Sequence, residues 1–205
     1  MNKYLNPTET IVTITKMKYK NAMVPLLLVV VSVGLDYFFA FEYSRYLSLF
    51  GLIVFLITLR VYRLNNVTNI TSNNALVSPI SGKVTSIEKT DTEIIVTINK
   101  NFHNTSDIRL SAAADFVKLE SCSDEVTRPL KKHHLPTIND KISSNWFVKG
   151  SNVHYFPKHN DLQGSLIGLL LGCGSCIYTF PTSISLSVIE GDPVKSGETI
   201  IGTIQ

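Results

Sequence analysis

Hydrophobic and polar positions divide the chain into two unlike parts. From Ala22 to Phe41 the sequence reads AMVPLLLVVVSVGLDYFFAF, twenty residues in which Asp36 is the sole charge. From Tyr46 to Leu59 it reads YLSLFGLIVFLITL, fourteen residues with no charge, and Glu42, Tyr43, Ser44 and Arg45 separate the two runs. A helix needs about 20 mostly apolar residues to cross a bilayer. The first run has that length. The second reaches about 21 Å at 1.5 Å per residue, and more if Val61 and Tyr62 extend it while Arg60 snorkels. Pro25, near the start of a helix, sits where its missing N–H costs nothing. The pattern predicts a transmembrane helical hairpin over residues 22–63, with a shallow re-entrant hairpin as a variant. A helical hairpin buried in a soluble core is the alternative.

From Leu64 the pattern changes. Asn65, Asn66, Thr68, Asn69, Thr71, Ser72, Asn73 and Asn74 form a polar linker rich in turn formers. Short β-branched runs follow, broken by Gly, Pro, Asn and Asp. Lys83–Lys89 and Glu93–Asn99 both alternate, as half-buried strands do, around a turn at Thr90–Thr92. Further strands are predicted at Phe116–Glu120, Trp146–Lys149, Val153–Phe156, Leu166–Leu171, Cys176–Phe180, Ile184–Ile189 and Thr199–Ile204. Ser121–Asn145 is polar, holds Pro129 and Pro136, and is predicted to be a long loop. One internal echo is present. Val77–Val84 (VSPISGKV) and Gly191–Glu198 (GDPVKSGE) each read as a Gly/Pro turn feeding a strand, as in barrels of the biotinyl/lipoyl type. The predicted class is mainly β (α+β). An N-terminal segment (1–21) leads into the hairpin (22–63), a linker (64–75) and a β-rich domain (76–205).

Charge sharpens the topology. Residues 1–63 carry seven Lys/Arg against three Asp/Glu, a net +4, and residues 64–205 carry twelve against thirteen, a net −1. Lys16, Lys18 and Lys20 precede the first apolar run, and Arg60 and Arg63 follow the second. The positive-inside rule then places both ends of the hairpin in the cytoplasm and its turn outside. The chain has no basic domain to follow a phosphate backbone, which argues against nucleic-acid binding. With 44% hydrophobic residues it is too apolar for disorder. Cys122, Cys173 and Cys176 are too few for a disulfide framework. Reduced cysteines and inward-facing ends point to the cytoplasmic face of a bacterial plasma membrane.

Generic chemical signals are sparse. Cys173-Gly174-Ser175-Cys176 is a CxxC, but apolar strand-like sequence flanks it, where a redox pair needs a helix N-terminus. Adding Cys122, His133 and His134 matches no common zinc spacing. The cysteines read as structural, and His103, His133, His134, His154 and His159 as surface or loop residues. No nucleophile elbow, P-loop or dinucleotide fingerprint is present.

The strongest signal is the order of motifs toward the C-terminus. Gly164-Ser165-Leu166-Ile167-Gly168 leads through Gly174-Ser175 to an apolar run and Phe180-Pro181. Gly191-Asp192-Pro193-Val194-Lys195-Ser196-Gly197-Glu198-Thr199-Ile200 closes the chain. This resembles the C-terminal region of phosphatidylserine decarboxylases, particularly their short form, with its "G-x-x-I-G-x-x-x-x-G-S" segment and "G-x-x-V-K-x-G-E-x-I" ending. Val77–Val84 resembles the family's "V-S-P-A-D-G-K-V", and two upstream apolar segments fit the short members. The centre, roughly Ser121–Asn152, matches poorly. The resemblance implies self-cleavage between Gly174 and Ser175, giving chains 1–174 and 175–205. It implies a pyruvoyl cofactor made from Ser175, a Schiff base with phosphatidylserine, and release of CO2 to leave phosphatidylethanolamine. Such a group is an electron sink. The bilayer and its phosphatidylserine are the implied partners, and an oligomer is compatible with the sequence.

The sequence departs from the family at two positions. Ser81 stands where the family has the Asp of "S-P-A-D-G". Asp107 stands where an ungapped alignment of Asn104–Val117 to "F-D-V-H-V-N-R-A-P-V-D-G-K-V" has its His. A base for Ser175 would then be His103, reached through a small gap, or His154. Without one, general-base activation worth about 10²–10⁴-fold is missing. Two readings follow within the family. One is a decarboxylase with catalytic Ser175, Gly174, His103, Asp107 and His154. The other is a cleavage-incompetent relative, a pseudoenzyme that binds lipid or a partner at the membrane. A membrane-anchored adaptor barrel of the biotinyl/lipoyl type is a third.

Overall fold

The computed structural model describes residues 8–39, 42–67, 75–111, 120–121, 131–132, 145–156 and 162–204. The chain is α+β and divides into two compact units, Thr8–Arg63 and a β-rich unit that holds Leu64–Gln205.

The first unit is two helices, α1 (Thr8–Phe39) and α2 (Ser44–Val61). Both are long and apolar enough to cross a membrane, and little of either is buried. Helix α1 begins well before the apolar run, taking in Lys16, Lys18 and Lys20, so Pro25 stands inside the helix and not near its start as expected. The expected turn at Glu42–Arg45 is shorter than read, because Ser44 and Arg45 already belong to α2. Three polar pairs and a close approach at Gly51 join the helices. Asn21 Nδ2 donates to Tyr62 Oη. The hydroxyls of Ser32 and Ser48 lie 2.7 Å apart, and Ser44 Oγ donates to Asp36 Oδ1 at 2.8 Å. A Cβ on Gly51 would fall 2.9 Å from Val29 Cγ2 and 3.3 Å from the Pro25 carbonyl, so only glycine lets the helices approach this closely.

The second unit is a curled antiparallel sheet. Its strands are β1 (Ala75–Val77), β2 (Gly82–Lys89), β3 (Glu93–Lys100), β4 (Asp107–Arg109), β5 (Glu120–Ser121), β6 (Lys131–Lys132), β7 (Asn145–Tyr155), β8 (Leu166–Pro181), β9 (Ile184–Leu186), β10 (Pro193–Val194) and β11 (Ile200–Ile204). The main sheet runs β10-β2-β3-β8-β4, with β7 on the other edge of β8, and a second sheet runs β1-β11-β9. The β2–β3 hairpin forms where alternation predicts it. Thr90 closes its turn, giving N–H to the Glu93 carbonyl and accepting the Glu93 N–H on its hydroxyl.

Alternation also sets the core. Ile94, Val96 and Ile98 on β3 face Cys176, Tyr178 and Phe180 on β8, joined by Leu76, Ile80, Ile108 and Ile201. Fully burying side chains of this size contributes about 1.5–3 kcal/mol each. Tyr178 keeps its hydroxyl satisfied by donating to Ser111 Oγ.

Four sequence expectations need correction. Leu166–Leu171 and Cys176–Phe180 are one strand, β8, because Gly174 stays in the ladder and Gly172 is taken up in a bulge that does not end the strand. Trp146–Lys149 and Val153–Phe156 likewise join in β7, with a register shift at the intervening residues. The strand predicted over Ile184–Ile189 stops at Leu186, where the chain turns toward Gly191 at φ +97°. Within Ser121–Asn145, Lys131–Lys132 pairs with Glu120–Ser121. The strand read at Phe116–Glu120 lies outside the described residues except for Glu120.

Candidate functional site

Strand β8 has an interruption built into both its edges. On one edge β3 pairs as far as Lys100 opposite Gly174, and β4 resumes with Asp107 opposite Leu169. On the other edge the β7 register shifts between Gly150, opposite Gly174, and Asn152, opposite Leu171. Gly172 sits at this point with φ +81°, which only glycine adopts without strain. The extra residue is a β-bulge, and it bends the strand. Lys100 Nζ replaces the missing ladder partner by donating to the Gly172 carbonyl at 2.6 Å.

Gly174 and Ser175 follow the bulge inside a strand paired on both edges. Ser175 lies opposite Asn99 on β3 and Lys149 on β7 by backbone register. Cys176, Tyr178 and Phe180 take the inward positions, so Ser175 is on the outer face, half-buried. Its hydroxyl makes no hydrogen bond among the described residues. His154 is exposed and stands opposite Leu169, six residues from Ser175, on the order of 20 Å of strand path. His103 is exposed on the turn after β3, edge-on to Phe102 with ring centroids 6.2 Å apart. It lies three residues past Lys100, at the same end of β3 as Gly174. Lys100 is buried and belongs to the inward face, opposite to that of Ser175. Burial lowers its pKa, and the nearby Cys173 and Asp107 partly offset this.

Ser81 and Asp107 do come together, in a closed polar network of their own. Asp107 is buried beside the fully buried Arg109, whose Nε donates to Oδ2 at 2.6 Å. Ser196 Oγ donates to the same oxygen at 2.5 Å, and the Asn65 N–H donates to Oδ1 at 3.2 Å. Ser81 Oγ accepts the Ser196 N–H at 3.0 Å and lies 2.6 Å from Thr105 Oγ1. Arg109 also donates to the carbonyls of Gly164 and Asn65, both at 2.8 Å. Burying an ion pair is favourable only when its remaining donors and acceptors are satisfied, and here the carboxylate has three partners. The two echo segments meet at this network. Gly82 pairs with Val194, and the Gly197 N–H donates to the Ser78 carbonyl.

Sequence reasoning missed Arg109, Ser196 and Thr105. Two-residue spacing on a strand puts Asp107 and Arg109 on one face, so half of this pairing was readable. Ser196 lies 89 residues from Asp107 and carries no local signal.

Compared with protein-family models, curated proteins and solved structures, the chain matches none. The chemistry therefore rests on the residues. Cys176 is buried, which pushes its thiol pKa up, while Cys173 is exposed. Among the described residues no three His, Cys, Asp or Glu side chains are grouped to hold a metal ion. Cys122, His133, His134 and His159 lie outside the described residues. A serine hydroxyl becomes a nucleophile when a base within hydrogen-bond reach takes its proton. Ser175 has no such neighbour among the described residues, and its peptide is held extended in a two-sided ladder.

Proposed function

We propose that this chain is a membrane-anchored phosphatidylserine-decarboxylase-like protein that binds phospholipid as an uncut chain. The helical hairpin tethers the β-rich unit to the bilayer, on the cytoplasmic face according to the basic flanks. The supporting observation is the network around Asp107. The two positions where the resemblance calls for an Asp and a His, Ser81 and Asp107, are hydrogen-bonded into a buried set with Ser196, Thr105 and Arg109. These groups hold the Asn65, Ser78–Gly82 and Gly197 segments together, and no base is hydrogen-bonded to Ser175 among the described residues.

A second reading is the active decarboxylase, and the retained, half-buried Gly174-Ser175 beside the Gly172 bulge favours it. There Ser175 would supply the pyruvoyl group and His103 would be the base. Incubation of the purified chain with phosphatidylserine vesicles separates the two. The first reading predicts that the chain floats with the vesicles and releases no CO2. CO2 release that Ser175→Ala abolishes would establish the second.

A further inference from the structure

The far end of the helical hairpin has the composition of a membrane interface. Tyr37, Phe38, Phe39, Tyr43 and Tyr46 are all between 64% and 83% exposed, and they cluster around the α1–α2 connection. Aromatic side chains gather in this way at headgroup level, where one end of the ring is apolar and the other wet. The charged groups at the tip are Asp36, Glu42 and Arg45. Arg45 is 85% exposed, and its Nε lies 3.8 Å from Asp36 Oδ2. The opposite end carries Lys16, Lys18, Lys20, Arg60 and Arg63, a cationic collar complementary to anionic lipid.

Polar pairs mark both ends of the apolar stretch, Asn21 with Tyr62 and Asp36 with Ser44. From one pair to the other, α1 rises about 23 Å and α2 about 27 Å at 1.5 Å per residue. This is close to the ~30 Å of a bilayer core and well beyond its midplane. A hairpin stopping inside the core would strand an exposed Arg45 and Glu42 in hydrocarbon. A local thinning of a few Å brings them to headgroups instead.

We propose that this tip, the five aromatic side chains with Asp36, Glu42 and Arg45, is an interfacial anchor seated in the headgroup layer of the leaflet opposite the basic collar. The proposal rests on the membrane reading above, and it selects a spanning hairpin over a re-entrant one. The test uses the full chain in sealed, uniformly oriented membrane vesicles from expressing cells. An impermeant maleimide is applied to Glu42→Cys and Lys20→Cys, and labelled peptides are resolved by mass spectrometry. Tyr43→Cys reports the same position should Glu42→Cys fail to accumulate. The expected result is labelling of position 42 from the side opposite to position 20. Labelling of both from one side, or of position 42 only after detergent, would overturn the proposal. Release of the chain from the vesicles by alkaline carbonate would instead overturn the membrane reading beneath it.

Discussion

The two units handle polar and apolar groups in opposite ways. In the β-rich unit, Phe180, Tyr178 and Ile98 are buried, and the buried charges Asp107 and Arg109 are paired. In the helical unit, Leu27, Phe50 and Leu56 face outward, while Ser32, Ser48 and Asn21 make hydrogen bonds between the helices. Water drives the first arrangement, since apolar area removed from it is the main favourable contribution. In the membrane setting proposed for the hairpin it would not drive the second, because lipid tails are as apolar as leucine. Close packing of small residues and interhelical hydrogen bonds then hold helices together. On that reading one chain follows two solvents, and the boundary between the two units falls at Arg63.

The largest blow to this contrast falls on the buried ion pair. Arg109→Met leaves Asp107 buried without its cation and is expected to cost about 3–5 kcal/mol. Chemical denaturation of the full chain in detergent micelles measures it. Adding Asp107→Ala to Arg109→Met should recover part of the loss, whereas an equal or larger loss would show that the pair is not the source. Next comes a matched substitution in each unit. Phe180→Ala is expected to cost about 3–5 kcal/mol. Phe50→Ala, on an outward position, should leave denaturation of the β-rich unit unchanged. Equal effects would mean that the two units bury apolar groups in the same way. A smaller effect is expected at Gly51→Leu, which forces α1 and α2 apart at a cost of about 1–3 kcal/mol. Cross-linking between cysteines placed at Ser32 and Ser48 would report it as a lost disulfide.

The smallest effect is a pH dependence confined to the β-rich unit. Burial pushes the thiol of Cys176 up from 9.0, and burial together with Cys176 pushes the phenol of Tyr155 up from 10.0. Both stay protonated in the fold while their unfolded counterparts ionise. The stability they contribute is complete below pH 9 and is lost as the pH rises above it. Lys100 is lowered from 10.5 by burial, so its contribution is whole above 10.5 and is lost as the pH falls through its folded value. Stability should therefore turn over and fall above about pH 10, where the two acids outweigh the lysine. Thermal melts across pH 7 to 11 would show Cys176→Val moving the turnover upward and Lys100→Met flattening the limb below it.

The hairpin and the β2–β3 ribbon were legible because their signals are local. An uncharged apolar run needs no partner to be read, and alternation from Lys83 to Asn99 declares both strands. The continuity of β8 was hidden, since Gly172 and Gly174 read as a break and only the neighbouring strands show that the ladder continues. The candidate site was legible in part. Gly174-Ser175, Ser81 and Asp107 were singled out from motif order. Their separation into an outer-face serine and a buried network depends on strand parity and on contacts across 89 or more residues. No window of sequence displays such contacts.

Whether the chain works uncut is read from its intact mass under denaturing conditions. The purified full-length protein is predicted to give one species at 22.8 kDa. A fragment spanning residues 175–205 with a pyruvoyl-blocked N-terminus, beside its 1–174 complement, would contradict it.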